Sequence, residues 1–359
     1  MAKVRTALGL FFYCCAIWLV LDYVYTAYLA PMGPSPRVRS AIHSHGLAPN
    51  FDGDDRWGSA RYRFVTNSLG FRDAVVRDVP LTAATRRILL IGDSFTEGIG
   101  VPFEQSFAGL LQAAGQQRAD KIEFLNAGVV SYAPTIYYKK IKHWLNQGLR
   151  FDEVIVFSDI SDVADEATRN SCLDDQKQLP KNCIPLSAAP AGPPEWRLSD
   201  SFSMSIRLFN LFRYQLYWFS GVTQDQVLNN HVHSDWTIAG AAVGDGYNPL
   251  GIEGGVQRSI ESMQALADLL RSRGIPLTIA VYPHPMQLSL DDRNSRQVTI
   301  WQDFCTRNCK AFINLFPAFF AIKDAHRDWY LRLFIKGDVH FSEEGNALVY
   351  QEVARHVFP

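Results

Sequence analysis

The amino-acid sequence predicts an α/β fold: a three-layer α/β/α sandwich around a parallel sheet, preceded by an N-terminal transmembrane helix. The first observation is that short, largely apolar runs alternate with helical patterns, as in parallel strands joined by crossover helices. The second is an apolar N-terminal stretch of membrane-spanning length. The third is the ordinary globular composition of the 359 residues, of which 47% are hydrophobic and 20% charged.

The N-terminal stretch is apolar from Ala7 to Ala30, with one interruption at Asp22. A bilayer span needs about 20 residues, so residues 1–30 are predicted to form a signal anchor with Asp22 near the interface. Lys3 and Arg5 precede the stretch and predict an N-terminus inside. The result is a single-pass protein of the cell inner membrane with a periplasmic or extracellular body. The alternative is a cleaved signal peptide, which also carries the body across the membrane.

Four cysteines outside the apolar stretch form two pairs that are close in sequence. Cys172 lies 11 residues before Cys183, and Cys305 lies four residues before Cys309. Such local pairs favour two small disulfide loops in an oxidising compartment. Metal binding is the alternative, but neither pair has the Cys-x-x-Cys spacing or a nearby histidine.

The body divides into an N-terminal extension and an α/β domain. Residues 31–80 begin as a Pro-rich linker and continue into short strands around a turn at Asn67–Gly70, in the segment TNSLGFRD. Residues 81–359 form the α/β domain, with an insertion at about 165–252 that is polar and irregular in most of its length. The predicted strands of this domain are Arg87–Ile91, Ile122–Asn126, Glu153–Phe157, Pro276–Tyr282 and Ala311–Leu315.

The charge pattern argues against a nucleic-acid partner. The formal net charge is −1, and the lysines and arginines are scattered without a basic stripe or a nucleic-acid motif. No residue pattern implies a metal or an organic cofactor.

Ser94 is the first candidate for chemistry. It lies in IGDSFTEG, directly after the first strand of the domain and before a helix. Polar groups that follow the strands of a parallel sheet meet at its carboxyl edge. A serine in this place exposes its hydroxyl at the rim of the sheet, and its backbone N–H is suited to an oxyanion hole.

Asp338 and His340 are the candidate partners of Ser94. They lie in KGDVHFSEEG, before a last helix that Ser342 is predicted to cap. A serine nucleophile needs a base and a group that orients the base. An aspartate that accepts from one imidazole nitrogen fixes the tautomer in which the other nitrogen takes the serine proton. A solvated loop histidine is the alternative interpretation.

Other polar residues carry weaker predictions. His284 follows the fourth strand of the domain and is a candidate for the rim of the pocket. Glu97 is a candidate second carboxylate near Ser94, although an acidic residue is routine at a helix start. His231 and His233 suggest a metal-ligand pair but have no clear partners, which favours a solvated loop.

The order of these motifs resembles the SGNH/GDSL hydrolases over roughly residues 86–356. Ser94 matches the serine of the first conserved block, and Asp338 and His340 match the last block. Gly128, in NAGV, matches the glycine whose backbone N–H is an oxyanion donor in that family. The resemblance therefore implies a catalytic triad of Ser94, Asp338 and His340, with Ser94 and Gly128 as oxyanion donors.

The sequence departs from that family in two places. The third block is usually Gly-x-Asn-Asp, but here Asp159 stands at the glycine position and Ser161 at the asparagine position, which makes Ser161 a weaker third oxyanion donor. The last block is Asp-x-His instead of Asp-x-x-His. That spacing resembles SGNH-like proteins that O-acetylate exported bacterial polysaccharides such as alginate. TNSLGFRD resembles a stretch found upstream of the serine in membrane-tethered SGNH proteins.

We therefore expect a serine-dependent acyl-ester hydrolase that acts outside the inner membrane on O-acetylated carbohydrate. A polysaccharide O-acetyltransferase with the same triad is the first alternative, because the triad does not select water over a sugar hydroxyl as the acyl acceptor. A non-catalytic carbohydrate-binding protein on an SGNH-like fold is the second. A lipase or phosphoesterase is a third, although no Arg or Lys beside the motifs suits a phosphate.

Overall fold

Nine strands lie in the part of the chain that the structure describes, and they form one parallel sheet and two antiparallel hairpins. The structure is a computed structural model that describes residues 2–25, 36–40, 42–57, 60–172, 205, 234–238, 240 and 245–358. The strands are β1 (Arg37–Ser40), β2 (Ser44–Leu47), β3 (Asp52–Trp57), β4 (Ala60–Val65), β5 (Arg86–Gly92), β6 (Ile122–Asn126), β7 (Glu153–Ser158), β8 (Leu277–Val281) and β9 (Ala311–Asn314).

The parallel sheet has the strand order β6-β5-β7-β8-β9. Every residue of β6, β7 and β8 is buried, as the largely apolar runs predict for parallel strands covered on both faces. The five strands predicted from the sequence are these five. Their carboxyl ends form one edge of the sheet, because Gly92 at the end of β5 lies opposite Phe157 of β7.

Helices cover both faces of the sheet. In chain order, the described residues form the helices α1 (Ala2–Val24), α2 (Ser94–Glu97), α3 (Phe107–Gln117), α4 (Pro134–Asn146), α5 (Asp162–Ala167), α6 (Gly251–Arg271), α7 (Pro285–Leu290), α8 (Arg296–Asn308), α9 (Phe316–Ala325), α10 (Trp329–Leu333) and α11 (Glu343–Val357). α3 packs with α11, whereas α6 packs with α4 and α5. Right-handed crossovers require this separation, since the chain reverses direction across the sheet after β6. The predicted α/β/α sandwich is confirmed.

The last helix begins as its sequence predicts. Ser342 precedes α11, and its Oγ accepts a hydrogen bond from the N–H of Gly345 at 3.1 Å. Glu343 and Glu344 occupy the first turn, where negative charge is favourable. This start fixes the loop before α11, which carries Asp338 and His340.

The chain divides into two compact units. One comprises Met1–Ser35 and Pro190–Thr223, and the other Pro36–Ala189 and Gln224–Pro359. In the first unit, Arg5–Val24 is long and apolar enough to cross a membrane, with a mean hydropathy of 1.9. Asp22 is buried there and accepts a hydrogen bond from the N–H of Ser205 at 2.7 Å. The described part of the N-terminal extension belongs to the second unit, together with the sheet.

The cysteine prediction is confirmed for one pair. Cys305 and Cys309 form a disulfide, with an S–S distance of 2.11 Å, at the end of α8. The prediction for Cys172 and Cys183 lies outside the described residues, because Cys183 does. His231, His233 and most of the predicted insertion lie outside them as well.

Candidate active site

Ser94 stands at the carboxyl edge of the sheet because β5 ends at Gly92 and α2 begins two residues later. A Cβ atom on Gly92 would lie 2.8 Å from the carbonyl oxygen of Phe157, so only glycine allows this close approach to β7. Asp93 caps α2, and its Oδ1 accepts from the N–H of Phe95 at 3.0 Å. This tight turn directs Ser94 into the loops at the sheet edge.

The structure brings Ser94, His340 and Asp338 together. The Oγ of Ser94 lies 2.9 Å from Nε2 of His340, and Nδ1 of His340 lies 2.6 Å from Oδ1 of Asp338. Ser94 and His340 are 8% and 5% exposed, so the pair is nearly shielded from solvent. A continuous hydrogen-bonded path therefore joins the serine hydroxyl to the carboxylate, as the sequence predicts.

Asp338 is held as an anion by its hydrogen bonds. Burial alone raises the pKa of a carboxyl, but the hydrogen bond and charge of His340, together with the hydrogen bond from Trp57, lower the pKa of Asp338 to about 2. Its Oδ1 also accepts from the N–H groups of Val339 at 2.6 Å and His340 at 3.0 Å. The carboxylate is thus fixed in position and charged at neutral pH.

Trp57 is a residue of the site that the sequence analysis missed. It ends β3 in the N-terminal extension, and its Nε1 donates to Oδ2 of Asp338 at 2.6 Å. The edge of its indole meets the ring of His340, with 5.1 Å between the ring centroids and an interplanar angle of 84°. No local motif marks this tryptophan, since its partners lie near the other end of the chain.

A second group of acids lies behind Ser94. Asp93, Asp159 and Asp162 are all buried. Burial raises the pKa of Asp93 well above its usual range, and the charge of Asp159 raises it further. Burial and the charges of Asp159 and Asp93 raise the pKa of Asp162 in the same way. Oδ2 of Asp93 accepts from the Ser94 hydroxyl at 3.1 Å, so a second acceptor competes with His340 for that proton.

The two loops predicted to supply additional oxyanion donors make other hydrogen bonds here. The N–H of Gly128 donates to Oδ1 of Asn126 at 3.0 Å, so the predicted donation to an oxyanion requires that this bond open or be shared. The N–H of Ser161 donates to Oδ1 of Asp159 at 2.7 Å, and the side chain of Ser161 is half-buried. The N–H of Ser94 belongs to the first turn of α2, where N–H groups have no intrahelical partner.

Two other candidate side chains have defined places. His284 packs beside Phe95, with 5.2 Å between the ring centroids, and its Nε2 lies 3.6 Å from Oδ2 of Asp159. Phe95 also contacts His340, so His284 lies next to the site. Glu97 is fully buried and accepts from Arg37 at 2.6 Å and from the N–H of Val130 at 2.7 Å. Glu97 therefore links α2 to the loop after β6 and to Arg37 of β1.

No protein-family model matches the chain, and no curated protein matches it. An α/β-hydrolase from the metagenome of Lake Arreo, Spain, is similar in structure at 12% identity and a TM-score of 0.40, over 77% of this chain and 96% of that one. A member of the lipolytic G-D-S-L family from Veillonella parvula is similar at 14% identity and a TM-score of 0.39, over 76% and 98%.

A catalytic mutant of an acetylxylan esterase from Geobacillus stearothermophilus is also similar, at 12% identity and a TM-score of 0.41, over 78% of this chain and 97% of that one.

Proposed function

We propose that the protein is a serine-dependent ester hydrolase of the SGNH/GDSL type. The observation that carries the proposal is the path from Ser94 Oγ to His340 Nε2 at 2.9 Å and from His340 Nδ1 to Asp338 Oδ1 at 2.6 Å. A nucleophile bound to a base that a third group orients is the arrangement that acyl transfer requires.

In the proposed mechanism, His340 Nε2 takes the proton of Ser94 as Oγ attacks the carbonyl carbon of the ester. The N–H of Ser94 stabilises the oxyanion of the tetrahedral intermediate. His340 then gives the proton to the leaving alcohol, and the acyl group remains on Ser94. Water, deprotonated by His340, releases the acid and restores the serine. Asp338 stays ionised throughout, in keeping with its lowered pKa.

We place this activity outside the inner membrane. Two features support the location: the apolar helix Arg5–Val24, which follows a positively charged start, and the disulfide between Cys305 and Cys309. Disulfides persist in oxidising compartments and are rare in the cytosol. The Asp-x-His spacing of Asp338 and His340 favours O-acetylated carbohydrate of the cell envelope as the substrate.

The same spacing also favours a second function, transfer of the acetyl group to a sugar hydroxyl. The acyl-enzyme on Ser94 is common to both reactions, and the acceptor alone distinguishes them. Asp338 and His340 would act identically, with the sugar hydroxyl deprotonated in place of water.

The test is p-nitrophenyl acetate hydrolysis by the full-length protein in detergent. Ser94→Ala and His340→Ala are compared with His356→Ala, a change at an exposed histidine of α11. We expect the first two to lose on the order of 10³-fold or more in kcat and the third to keep full activity. Acetyl on an added oligosaccharide would assign the transferase. Equal rates for wild type and Ser94→Ala, with no fluorophosphonate labelling, would reject the serine mechanism.

A further inference from the structure

The α2 turn that carries Ser94 makes few hydrogen bonds of its own. The carbonyl oxygen of Ser94 accepts from the N–H groups of Gly98 at 3.0 Å and Ile99 at 3.1 Å, and that of Phe95 accepts from Gly98 at 3.1 Å. A single helical turn is unstable without outside support, because fixing it costs more conformational entropy than its hydrogen bonds return. The position of Ser94 therefore depends on what holds the rest of the turn.

Side chains from two other segments hold the end of the turn. Nδ2 of Asn126, at the end of β6, donates to the carbonyl oxygen of Thr96 at 2.7 Å. The Arg72 guanidinium donates hydrogen bonds to carbonyl groups that follow Thr96 in the chain. Nη1 donates to the oxygens of Glu97 at 2.5 Å and of Gly98, and Nη2 donates to that of Val101 at 2.6 Å. Arg72 alone thus binds three backbone carbonyl groups within residues 97–101, directly after the turn that carries the serine.

Arg72 is itself fixed from two sides. Its guanidinium lies over the rings of Phe64 at 4.8 Å and Tyr62 at 5.4 Å, both from β4, and it is 1% exposed. Its backbone N–H donates to the carbonyl oxygen of Asn126 at 3.2 Å. One residue of the TNSLGFRD segment therefore connects the end of α2 to the end of β6, and its cation is packed between these contacts.

The backbone opposite Arg72 is shaped to receive it. Gly98 has φ of +80°, a conformation that favours glycine, and a Cβ atom there would lie 2.8 Å from Nη1 of Arg72. A buried cation is costly unless its N–H groups are bound, and removing it leaves buried carbonyl groups without a donor. The cost of losing Arg72 thus falls on the segment that positions Ser94.

We propose that Arg72 is a positioning residue for Ser94. Its guanidinium binds backbone carbonyl groups of residues 97–101. It acts by holding the α2 turn so that Ser94 Oγ stays 2.9 Å from His340 Nε2. The inference rests on the proposed function, because it concerns the geometry of the same serine. Arg72 thereby gives the TNSLGFRD segment a role in the candidate active site.

Arg87 provides a matched control. It is also buried, at 2% exposed, and it lies near the amino end of β5, the strand whose carboxyl end leads to Ser94. Its Nε donates to Glu123 at 2.5 Å and its Nη1 to the carbonyl oxygen of Pro80 at 2.7 Å. Replacing Arg87 removes a buried cation from β5 and leaves the hydrogen bonds of Arg72 to the backbone after α2 in place.

The experiment compares Arg72→Gln, Arg72→Lys and Arg87→Gln in the full-length protein. We measure Tm, then kcat and KM for p-nitrophenyl acetate and the rate of fluorophosphonate labelling, well below each Tm. For Arg72→Gln we expect kcat and the labelling rate to fall about tenfold to a hundredfold with KM unchanged, because the nucleophile is misplaced. Arg72→Lys should recover part of that loss. Arg87→Gln should lower Tm and leave both rates unchanged.

Each outcome has one meaning. If Arg72→Gln and Arg72→Lys keep the wild-type kcat and labelling rate, or if Arg87→Gln loses as much of both as they do, Arg72 supports the fold and does not position Ser94. If Arg72→Gln does not fold, Arg72→Lys decides by the same two rates. The proposed function fails if the wild type shows no hydrolysis or labelling that depends on Ser94. This result differs from failure of the positioning role, in which the wild type is active and the Arg72 variants have the same rates.

Discussion

Trp57 donates its indole N–H to Oδ2 of Asp338 at 2.6 Å across 281 residues of sequence. The donor belongs to a hairpin of the N-terminal extension and the acceptor to the loop before α11. Because Oδ1 of Asp338 binds His340, the tryptophan occupies the other oxygen and fixes the plane of the carboxylate. The extension is therefore a structural part of the candidate active site.

The first prediction concerns this hydrogen bond. Trp57→Phe keeps an aromatic ring beside His340 and removes the donor to Asp338. A hydrogen bond to a charged group contributes about 1.5–3 kcal/mol, so we expect kcat for p-nitrophenyl acetate to fall about tenfold to a hundredfold. Trp144→Phe is the control, because the buried Nε1 of Trp144 has no hydrogen-bond partner among the residues that the structure describes. An equal effect of the two changes on kcat would contradict the prediction.

The second prediction concerns the charge of Asp338. Asp338→Asn keeps the shape of the side chain and removes the anion that orients His340. An amide N–H facing Nδ1 of His340 selects the wrong tautomer, so we expect kcat to fall by about 10⁴ while the fold is kept. Circular dichroism and Tm check the fold. Asp328→Asn, at an exposed residue before α10, is the control, and a loss of less than tenfold in Asp338→Asn would argue against the triad.

The third prediction concerns the contact between Gly128 and α2. A Cβ atom at this position would lie 2.7 Å from Cβ of Thr96 and 2.9 Å from the N atom of Glu97. Gly128→Ala should therefore displace α2 and lower kcat for p-nitrophenyl acetate in addition to any decrease in Tm. Gly274→Ala is the comparison: its φ of +68° makes alanine strained, but the space around it is open and remote from the site. It should lower Tm alone.

The fourth prediction concerns Lys140, which is buried beside Tyr132 and the carbonyl oxygen of Ala127. Burial lowers the pKa of Lys140 from 10.5 to about 7, although the charge of Glu97 opposes the shift. Between about pH 7 and pH 10.5, Lys140 therefore holds its proton in the unfolded chain and loses it in the folded chain. Stability due to this group therefore rises as the pH increases through that window, and the cost of burying the cation is complete below it.

Lys140→Met removes the titrating group. We expect the Tm of Lys140→Met minus that of the wild type to be more positive at pH 6 than at pH 9. Lys121→Met, at an exposed lysine, should show no such difference. A Tm difference between Lys140→Met and wild type that is equal at both pH values would show that Lys140 carries the same charge in the folded and unfolded chains.

The sheet and the place of Ser94 are predictable because their signals are local. Each largely apolar run is long enough to identify a buried strand, and a polar residue directly after such a strand reaches the carboxyl edge. Ser94 follows β5 in this way. Asp338 and His340 follow no strand of the sheet, and their prediction depended on the spacing of a known motif and on the presence of Ser94.

The supporting residues are not predictable because their signals are not local. Trp57 and Arg72 look like an ordinary hairpin tryptophan and a turn arginine until tertiary contacts place them at Asp338 and α2. The orientation of the Gly128 N–H was also beyond the sequence, since it depends on which partner the Asn126 amide selects. Such choices are made by packing, which no periodic pattern encodes.

The separation of Ser94 from His340 by 246 residues has a consequence for synthesis. A ribosome synthesises Ser94 early and His340 late in the 359-residue chain. Under the proposed mechanism, a nascent chain, or a chain that stops before His340, contains the serine without its base and lacks full activity. Ester turnover by this mechanism therefore requires the complete chain, and it begins only after folding has brought the two distant segments together.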